Sequence, residues 1–185
     1  MKSISRLSRE HAALVVIDMQ EAFRPVIQDF TEVAERISKA VQGAQLLELP
    51  VIVTEQYPKG LKHTAAEILP HLPKGSNTVE KICFSSCGVD EFQQLLISRN
   101  LKQALVCGIE AHICVAQTVL DLLAQGVEVH LLVDCITSRK RENKEVALAR
   151  LTQAGAVLSN LEMSLFEMLQ TADSPHFKAI QSLIK

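Results

Sequence analysis

Cys114, which follows an apolar run in the middle of the chain, has the type and position best suited to nucleophilic chemistry. The run Ala104–Cys107 predicts a buried strand that ends at Gly108, and a helical pattern covers Ile113–Gln125. Cys114 is therefore predicted in the first turn of a helix, where backbone N–H groups lack intrahelical partners and the helix dipole is positive. We expect this position to favour the thiolate, which is the nucleophilic form. The same N–H groups can stabilise an oxyanion.

Two further strand ends carry residues that suit acyl transfer. Asp18 ends the first predicted strand, Ala13–Asp18, and Lys81 lies in the third, Thr78–Ile82. Asp18 can take a thiol proton and later give it to a leaving amine, while Lys81 can stabilise the charged forms of both groups. Taken singly, the cysteine also fits an inert core residue, the aspartate a cap or turn former, and the lysine a solvated surface residue.

The alternation of apolar strand-like runs with helical patterns predicts how these residues meet. Such an alternation indicates an α/β fold with a mostly parallel sheet and helices on both of its faces. In sheets of this kind, ligands bind outside the carboxyl ends of the strands. The length of 185 residues fits a single domain over 1–185. The six predicted strands are Ala13–Asp18, Pro50–Thr54, Thr78–Ile82, Gln103–Cys107, Val127–Val133 and Ala156–Leu158.

Smaller features of the pattern predict the helices between these strands. Asp29 and Glu32 have the spacing of a capping box, and a short helix is predicted near Ala65–Leu69, within a long loop. The other predicted helices begin near Phe30, Glu91, Ile113, Glu142, Leu161 and Ser174.

Composition excludes several classes of protein. The formal net charge of −2 gives no electrostatic case for binding nucleic acid. No apolar run approaches the length of a membrane span. The five cysteines show no disulfide framework and no CxxC spacing, and the first residues lack the apolar core of a signal peptide. We therefore expect a reduced, cytoplasmic protein that binds neither membranes nor nucleic acids.

Four motifs give the chain a family resemblance. They are Asp18–Phe23, Lys81–Ser85, Gly108–Val115 and Thr54–Leu61. Together they resemble the isochorismatase-like (cysteine hydrolase) superfamily, which includes nicotinamidases and N-carbamoylsarcosine amidohydrolases. The last motif is similar to that of the isochorismatase-domain-containing subgroup, and the likeness runs from about Ala13 to the end of the chain.

The resemblance implies a three-layer, Rossmann-like fold and a set of catalytic roles. Asp18, Lys81 and Cys114 would form a catalytic triad. The peptide bond between Ile109 and Glu110 would be cis, which turns the Glu110 N–H inward. The oxyanion hole would then consist of the N–H groups of Glu110 and Cys114.

The resemblance also bears on the substrate and on assembly. It implies that Gln20 and Phe23 approach a pocket for a small-molecule substrate, and that the protein is a homo-oligomer, either a dimer or a tetramer. Tyr57, the only tyrosine, lies in the long loop after the second strand. It fits a residue that stacks on substrate and equally a residue that packs against the protein.

Two departures from known members narrow the expected chemistry. Nicotinamidases carry an Asp-x-His metal motif after strand two, whereas this chain has Thr54–Tyr57 there, without a histidine. His63 and His71 are predicted to be surface residues, and we expect neither a metal nor another cofactor. Isochorismatases that cleave a vinyl ether generally lack the cysteine, so Cys114 favours attack on a C–N bond.

The predicted function is therefore a cysteine-dependent hydrolase of a small amide or a related C–N bond, acting through a thioester. The alternative is a non-catalytic ligand-binding or scaffold protein on the same fold. A thiol-redox protein is a weaker interpretation, because no resolving cysteine stands at CxxC spacing.

Overall fold

Six parallel strands form one sheet in the computed structural model, which describes residues 6–185. The strand order is β3-β2-β1-β4-β5-β6, and every neighbouring pair is parallel. The strands are β1 (Ala12–Ile17), β2 (Val51–Gln56), β3 (Asn77–Lys81), β4 (Gln103–Gly108), β5 (Glu128–Ile136) and β6 (Val157–Ser159). The predicted α/β fold and its six-stranded sheet are thus confirmed.

Seven α-helices accompany the sheet within the described part of the chain. They are α1 (Phe30–Leu46), α2 (Pro58–Leu61), α3 (Asp90–Ser98), α4 (Ala116–Ala124), α5 (Arg141–Ala154), α6 (Leu161–Leu169) and α7 (Phe177–Ile184). Short 3₁₀ turns cover Glu21–Phe23, Leu69–His71 and Ser86–Gly88, and a π-helical turn covers Ala111–Val115. Among residues 6–185, no helix is long and apolar enough to cross a membrane.

The sheet separates two apolar cores, one on each face. Leu14 and Val16 of β1 belong to the core that contains residues of α1, α6 and α7. Val15 and Ile17 belong to the opposite core, which contains residues of α3, α4 and α5. Because successive side chains of a strand point to opposite faces, β1 must be apolar at every position to serve both cores.

Two local predictions are wrong. Asp29 stands at the N-cap of α1 but makes no side-chain cap; its Oδ1 accepts a hydrogen bond from Thr137 Oγ1 at 2.7 Å instead, so the predicted capping box is absent. The short helix predicted at Ala65–Leu69 is displaced, because the long loop forms α2 at Pro58 and a 3₁₀ turn at Leu69–His71. Both segments place a proline in the first helical turn, where its missing N–H is tolerated.

The strand order puts the candidate residues at one edge of the sheet. β1 lies between β2 and β4, so the chain leaves β1 in one direction and later returns on its other side, which creates the crevice typical of ligand sites in such sheets. Gly108 at the end of β4 has φ +114°, and a Cβ atom there would lie 2.0 Å from the Ile17 carbonyl oxygen. Only glycine permits this close approach of β4 to β1.

The chain turns sharply where the first candidate residue follows β1. Asp18 has a left-handed backbone, with φ 49°, directly after the last strand residue.

The prediction of one domain over 1–185 stays a prediction, and its first five residues lie outside the described part.

Candidate active site

A buried ion pair stands at the carboxyl ends of β1 and β3. Lys81 Nζ lies 2.6 Å from Asp18 Oδ2, and the two side chains are 0% and 2% exposed. Thr54 fixes the carboxylate from the neighbouring strand: its hydroxyl donates to Asp18 Oδ1 at 2.6 Å, and its carbonyl accepts the Asp18 N–H at 3.1 Å. Buried charges are tolerated only when they are paired and hydrogen-bonded, as both are here.

The Lys81 ammonium has further acceptors around it. Its Nζ donates to Gln56 Oε1 at 2.8 Å and to the Phe84 carbonyl at 2.9 Å, and the Cys83 carbonyl lies at 3.3 Å. The sequence pattern places Gln56 in the motif Thr54–Leu61 but does not predict this contact. The sheet register explains the contact, since Gln56 of β2 pairs with Lys81 of β3.

Cys114 completes the group but not in the predicted chemical state. It is buried within the π-helical turn Ala111–Val115, directly before α4. Burial and, to a smaller extent, the nearby Asp18 carboxylate raise the pKa of its thiol, Lys81 partly offsets them, and together they bring the pKa to about 12. The expectation of a resting thiolate is therefore wrong, because desolvation and the neighbouring anion together outweigh the lysine.

The thiol is thus protonated at rest beside a carboxylate that can accept its proton. Asp18 and Lys81 both act on the Cys114 sulfur, so the structure brings the three predicted residues together at one point. Attack on an amide carbonyl by this protonated sulfur requires that its proton be taken up as the bond forms, which is the role of a general base.

The turn before Cys114 is organised around Glu110. The Ile109–Glu110 peptide bond is cis, as the family resemblance implied. The Glu110 carbonyl accepts the N–H groups of Ile113 at 3.0 Å and Val115 at 3.3 Å, and its buried carboxylate accepts the Arg139 N–H at 2.9 Å. Within residues 6–185 the Glu110 N–H has no hydrogen bond, so it is free to meet an oxyanion. Its role in an oxyanion hole stays a prediction, as does that of the Cys114 N–H.

The predicted substrate residue Gln20 is engaged inside the protein. Its side chain is fully buried, its Oε1 accepts the Gln56 N–H at 2.8 Å, and its Nε2 donates to the carbonyls of Gln56 at 3.0 Å and Lys62 at 2.6 Å. Every amide hydrogen of Gln20 is thereby used. Its observed contacts hold the loop after β2, and contact with substrate stays a prediction.

The other two predicted substrate residues differ in exposure. Phe23 ends the 3₁₀ turn after β1 and packs against the core that contains α1. Tyr57 is 51% exposed, and its N–H donates to the Lys81 carbonyl at 2.9 Å. Tyr57 therefore stands at the surface beside the candidate site, while Phe23 is partly covered. Substrate contact by either residue stays a prediction.

A cavity of about 710 Å³ opens beside the end of β3. Exposed apolar side chains line it, since Tyr57 and Ile82 are each more than half exposed. The lining also carries charged residues of both signs, including Lys59, Glu80, Asp90 and Glu91. The surface around the lysine strand end thus combines apolar and charged groups.

The two histidines of the long loop, His63 and His71, differ in exposure. The His63 ring is exposed and its Nδ1 lies 3.0 Å from Glu55 Oε2, so the buried Glu55 carboxylate raises the pKa of His63. The same carboxylate accepts the Thr64 N–H and hydroxyl, each at 2.7 Å. His71 is partly buried in its 3₁₀ turn. Residues 6–185 contain no group of three or more His, Cys, Asp or Glu arranged for a metal ion. The absence of a metal stays a prediction.

Comparisons with known proteins identify the family and the fold. The isochorismatase domain family matches residues 12–163. The human isochorismatase domain-containing protein 2 is 42% identical over 184 residues, which cover 99% of this chain and 87% of the relative. The structure of the MAR1 ribonuclease from Caenorhabditis elegans superposes with a TM-score of 0.93 at 36% identity, covering 97% of this chain and 92% of that one. The YcaC gene product from Escherichia coli, described as an octameric hydrolase of unknown specificity, shares the fold at 18% identity and a TM-score of 0.88, covering 100% of this chain and 97% of that one.

Proposed function

The chain belongs to the isochorismatase domain family, and we propose that it is a cysteine-dependent hydrolase of a small amide or a related C–N bond. The observation that carries the proposal is the buried Asp18–Lys81 pair acting on the Cys114 sulfur. A structural role alone would not require a carboxylate, an ammonium and a thiol to share one desolvated point. Buried ionisable groups with a perturbed pKa, such as the Cys114 thiol, cluster at catalytic sites.

The first half of the reaction acylates the cysteine. As the sulfur of Cys114 forms a bond to the substrate carbonyl carbon, its proton passes to Asp18. The carbonyl oxygen becomes an oxyanion, which the N–H groups of Glu110 and Cys114 would stabilise. Asp18 then returns the proton to the nitrogen, the C–N bond breaks, and the amine leaves.

The second half restores the enzyme. Asp18 takes a proton from a water molecule, which attacks the thioester carbon, and the C–S bond breaks. The sulfur recovers a proton, and the products are a carboxylic acid and the free thiol. Lys81 stays protonated throughout, and its charge stabilises the anionic forms of its two neighbours.

Two other functions serve as outcomes of the test. A ligand-binding or scaffold protein needs no reactive thiol and would give no covalent intermediate. The name of the worm relative raises a second possibility, ribonuclease activity; the net charge of −2 gives no electrostatic support for binding RNA.

We also propose a homo-oligomer in the cytoplasm. The octameric state described for the Escherichia coli YcaC protein supports assembly, without fixing the predicted dimer or tetramer. All five cysteines are unpaired, which is typical of a reducing compartment.

The decisive experiment screens small amides, ureides and carbamoyl compounds, with Cys114→Ala as the inactive control. Intact-protein mass spectrometry after rapid quenching looks for an acyl adduct, which peptide mapping should place on Cys114. Turnover that survives in Cys114→Ala would contradict the proposal. The same preparations are incubated with RNA. RNA cleavage without any amide turnover would indicate that the protein is a nuclease and not an amidase.

A further inference from the structure

The Lys81 ammonium is surrounded by partners of two kinds. An ammonium has three hydrogens to donate, and three acceptors lie within 3.0 Å: Asp18 Oδ2 at 2.6 Å, Gln56 Oε1 at 2.8 Å and the Phe84 carbonyl at 2.9 Å. The Cys83 carbonyl is more distant, at 3.3 Å. Gln56 is thus the one neutral side chain among the close partners in the described part of the chain.

The amide of Gln56 is held in one orientation. Its Nε2 donates to the Ile82 carbonyl at 2.6 Å, which leaves Oε1 facing Lys81. Its backbone is held as well, because Gln20 accepts the Gln56 N–H at 2.8 Å and donates to the Gln56 carbonyl at 3.0 Å. The remaining amide hydrogen of Gln20 goes to the Lys62 carbonyl at 2.6 Å.

From this chain of contacts we propose that Gln56 is a positioning residue for Lys81 and that Gln20 holds Gln56 in place. The inference rests on the proposed function, because it assigns these residues to the hydrolytic site. A neutral partner orients the ammonium without adding charge. Lys81 therefore stays paired with Asp18 alone among the carboxylates of residues 6–185, and Asp18 can act as the base. A carboxylate in the same place would compete with Asp18 and the sulfur for the lysine.

The first test needs no substrate. In Gln56→Glu, a new carboxylate stands beside Lys81 and weakens its attraction for the Cys114 thiolate. Alkylation of Cys114 by iodoacetamide at one fixed pH, followed by peptide mapping, should slow about three- to tenfold, the effect of raising the thiol pKa by about half to one unit. An unchanged alkylation rate in Gln56→Glu would contradict the proposed contact between Gln56 and Lys81.

Gln93 offers a matched control. Its Nε2 donates to the Cys87 carbonyl at 2.8 Å, so it makes a comparable hydrogen bond without touching Lys81. In Gln93→Glu, iodoacetamide should alkylate Cys114 at the wild-type rate. An equal slowing in both variants would show that any added charge has the same effect, and would overturn a specific role for Gln56.

The second test measures turnover. On an amide that the wild type hydrolyses, Gln56→Met and Gln56→Asn should lower kcat by about 10- to 100-fold, the usual effect of losing a supporting contact, with a smaller change in KM. Gln93→Met should stay near wild type. Wild-type kcat in both folded Gln56 variants would overturn the proposal. If no amide is hydrolysed at all, the proposed function fails, whereas the alkylation test still decides the contact.

Discussion

Two groups of opposite charges flank the turn after β1, and they differ in what surrounds them. Asp18 and Lys81 are buried, with side chains 2% and 0% exposed. A few residues further on, Arg24 bridges Glu21 and Glu67, with its side chain 33% exposed. The first pair lies against a thiol, and the second lies near the surface.

The Arg24 group ties three segments of the chain together. Its guanidinium donates to Glu21 from Nε and Nη2, each at 2.8 Å, and to Glu67 from Nη1 at 3.0 Å and Nη2 at 2.8 Å. A further bond to Thr31 Oγ1 at 3.0 Å uses its fifth hydrogen, and the group lies 4.6 Å from the Phe30 ring centre. Arg24 thus fixes the turn after β1 to the long loop and to α1.

The comparison separates two uses of an ion pair. In the Arg24 group, two carboxylates share one cation, and the contacts hold segments in place. In the buried pair, the third ionisable group is a potentially nucleophilic thiol, so a change in one charge alters the reactivity of the sulfur. The following predictions test this distinction, from the largest expected effect to the smallest.

Asp18→Asn should abolish most turnover. The amide keeps the shape of the carboxylate but removes the base, so kcat should fall by about two to four orders of magnitude. Asp121→Asn is the matched control, because Asp121 lies on α4 and its carboxylate accepts from Ser85. Near-normal turnover in Asp18→Asn, measured on an amide that the wild type hydrolyses, would refute the assignment of the base.

Lys81→Ala should destabilise the protein strongly. It leaves the Asp18 carboxylate buried without its cation, which typically costs about 3–5 kcal/mol in the free energy of unfolding. Urea unfolding measures this loss. Lys59→Ala, an exposed lysine that lines the neighbouring cavity, should change stability little. Equal stability of the two variants would show that the buried pair contributes nothing to the fold.

Arg24→Ala should lower the free energy of unfolding by less than Lys81→Ala does, and the size of the loss should depend on pH. Arg24 lowers the pKa of Glu21 to about 2 and also lowers that of Glu67. A depressed folded pKa gives stability that is present above the unfolded value of about 4.3 and is lost as the pH falls towards 2. The variant should lose about 1–2 kcal/mol near pH 7, and progressively less as the pH falls through this window.

Chemical unfolding of wild type and Arg24→Ala between pH 7 and pH 2 checks that prediction. Arg36→Ala is the control, since Arg36 pairs with Glu32 at 2.6 Å on an exposed part of α1. A gap between wild type and Arg24→Ala that does not shrink in acid would contradict the role given to Glu21 and Glu67.

His63→Gln should have the smallest effect. Glu55 raises the pKa of the exposed His63 ring, so the stabilising contribution is full below the unfolded value of about 6.5 and is lost as the pH rises through the folded value. Melting temperatures of wild type and variant should differ slightly at pH 5.5 and converge at pH 9. A difference between the two melting temperatures that grows with pH would show that Glu55 does not raise the pKa of His63.

The sequence was sufficient to predict which strand ends converge. Apolar runs indicate the strands, and a parallel α/β sheet brings their carboxyl ends to one edge, so the pattern predicts that Asp18, Lys81 and Cys114 meet. The family resemblance supplied the cis bond before Glu110, which local pattern alone would not have shown.

The remaining features depend on distances that a sequence does not contain. The protonated state of Cys114 depends on burial and on how close Asp18 lies relative to Lys81. The predicted role of Gln20 did not anticipate that its amide hydrogens are used within the protein. Asp29 was predicted to cap its own helix, but Thr137, distant in sequence, binds its carboxylate.

The central claim is that Asp18 and Lys81 act on the Cys114 thiol with opposite signs, and alkylation tests it directly. Rates at Cys114 are measured at one fixed pH by peptide mapping, which separates them from labelling of the exposed Cys83. Asp18→Asn removes an anion that raises the thiol pKa, so alkylation should become faster even as turnover collapses. Lys81→Ala should make alkylation slower. A slower rate in Asp18→Asn, or an unchanged rate in both folded variants, would contradict the account.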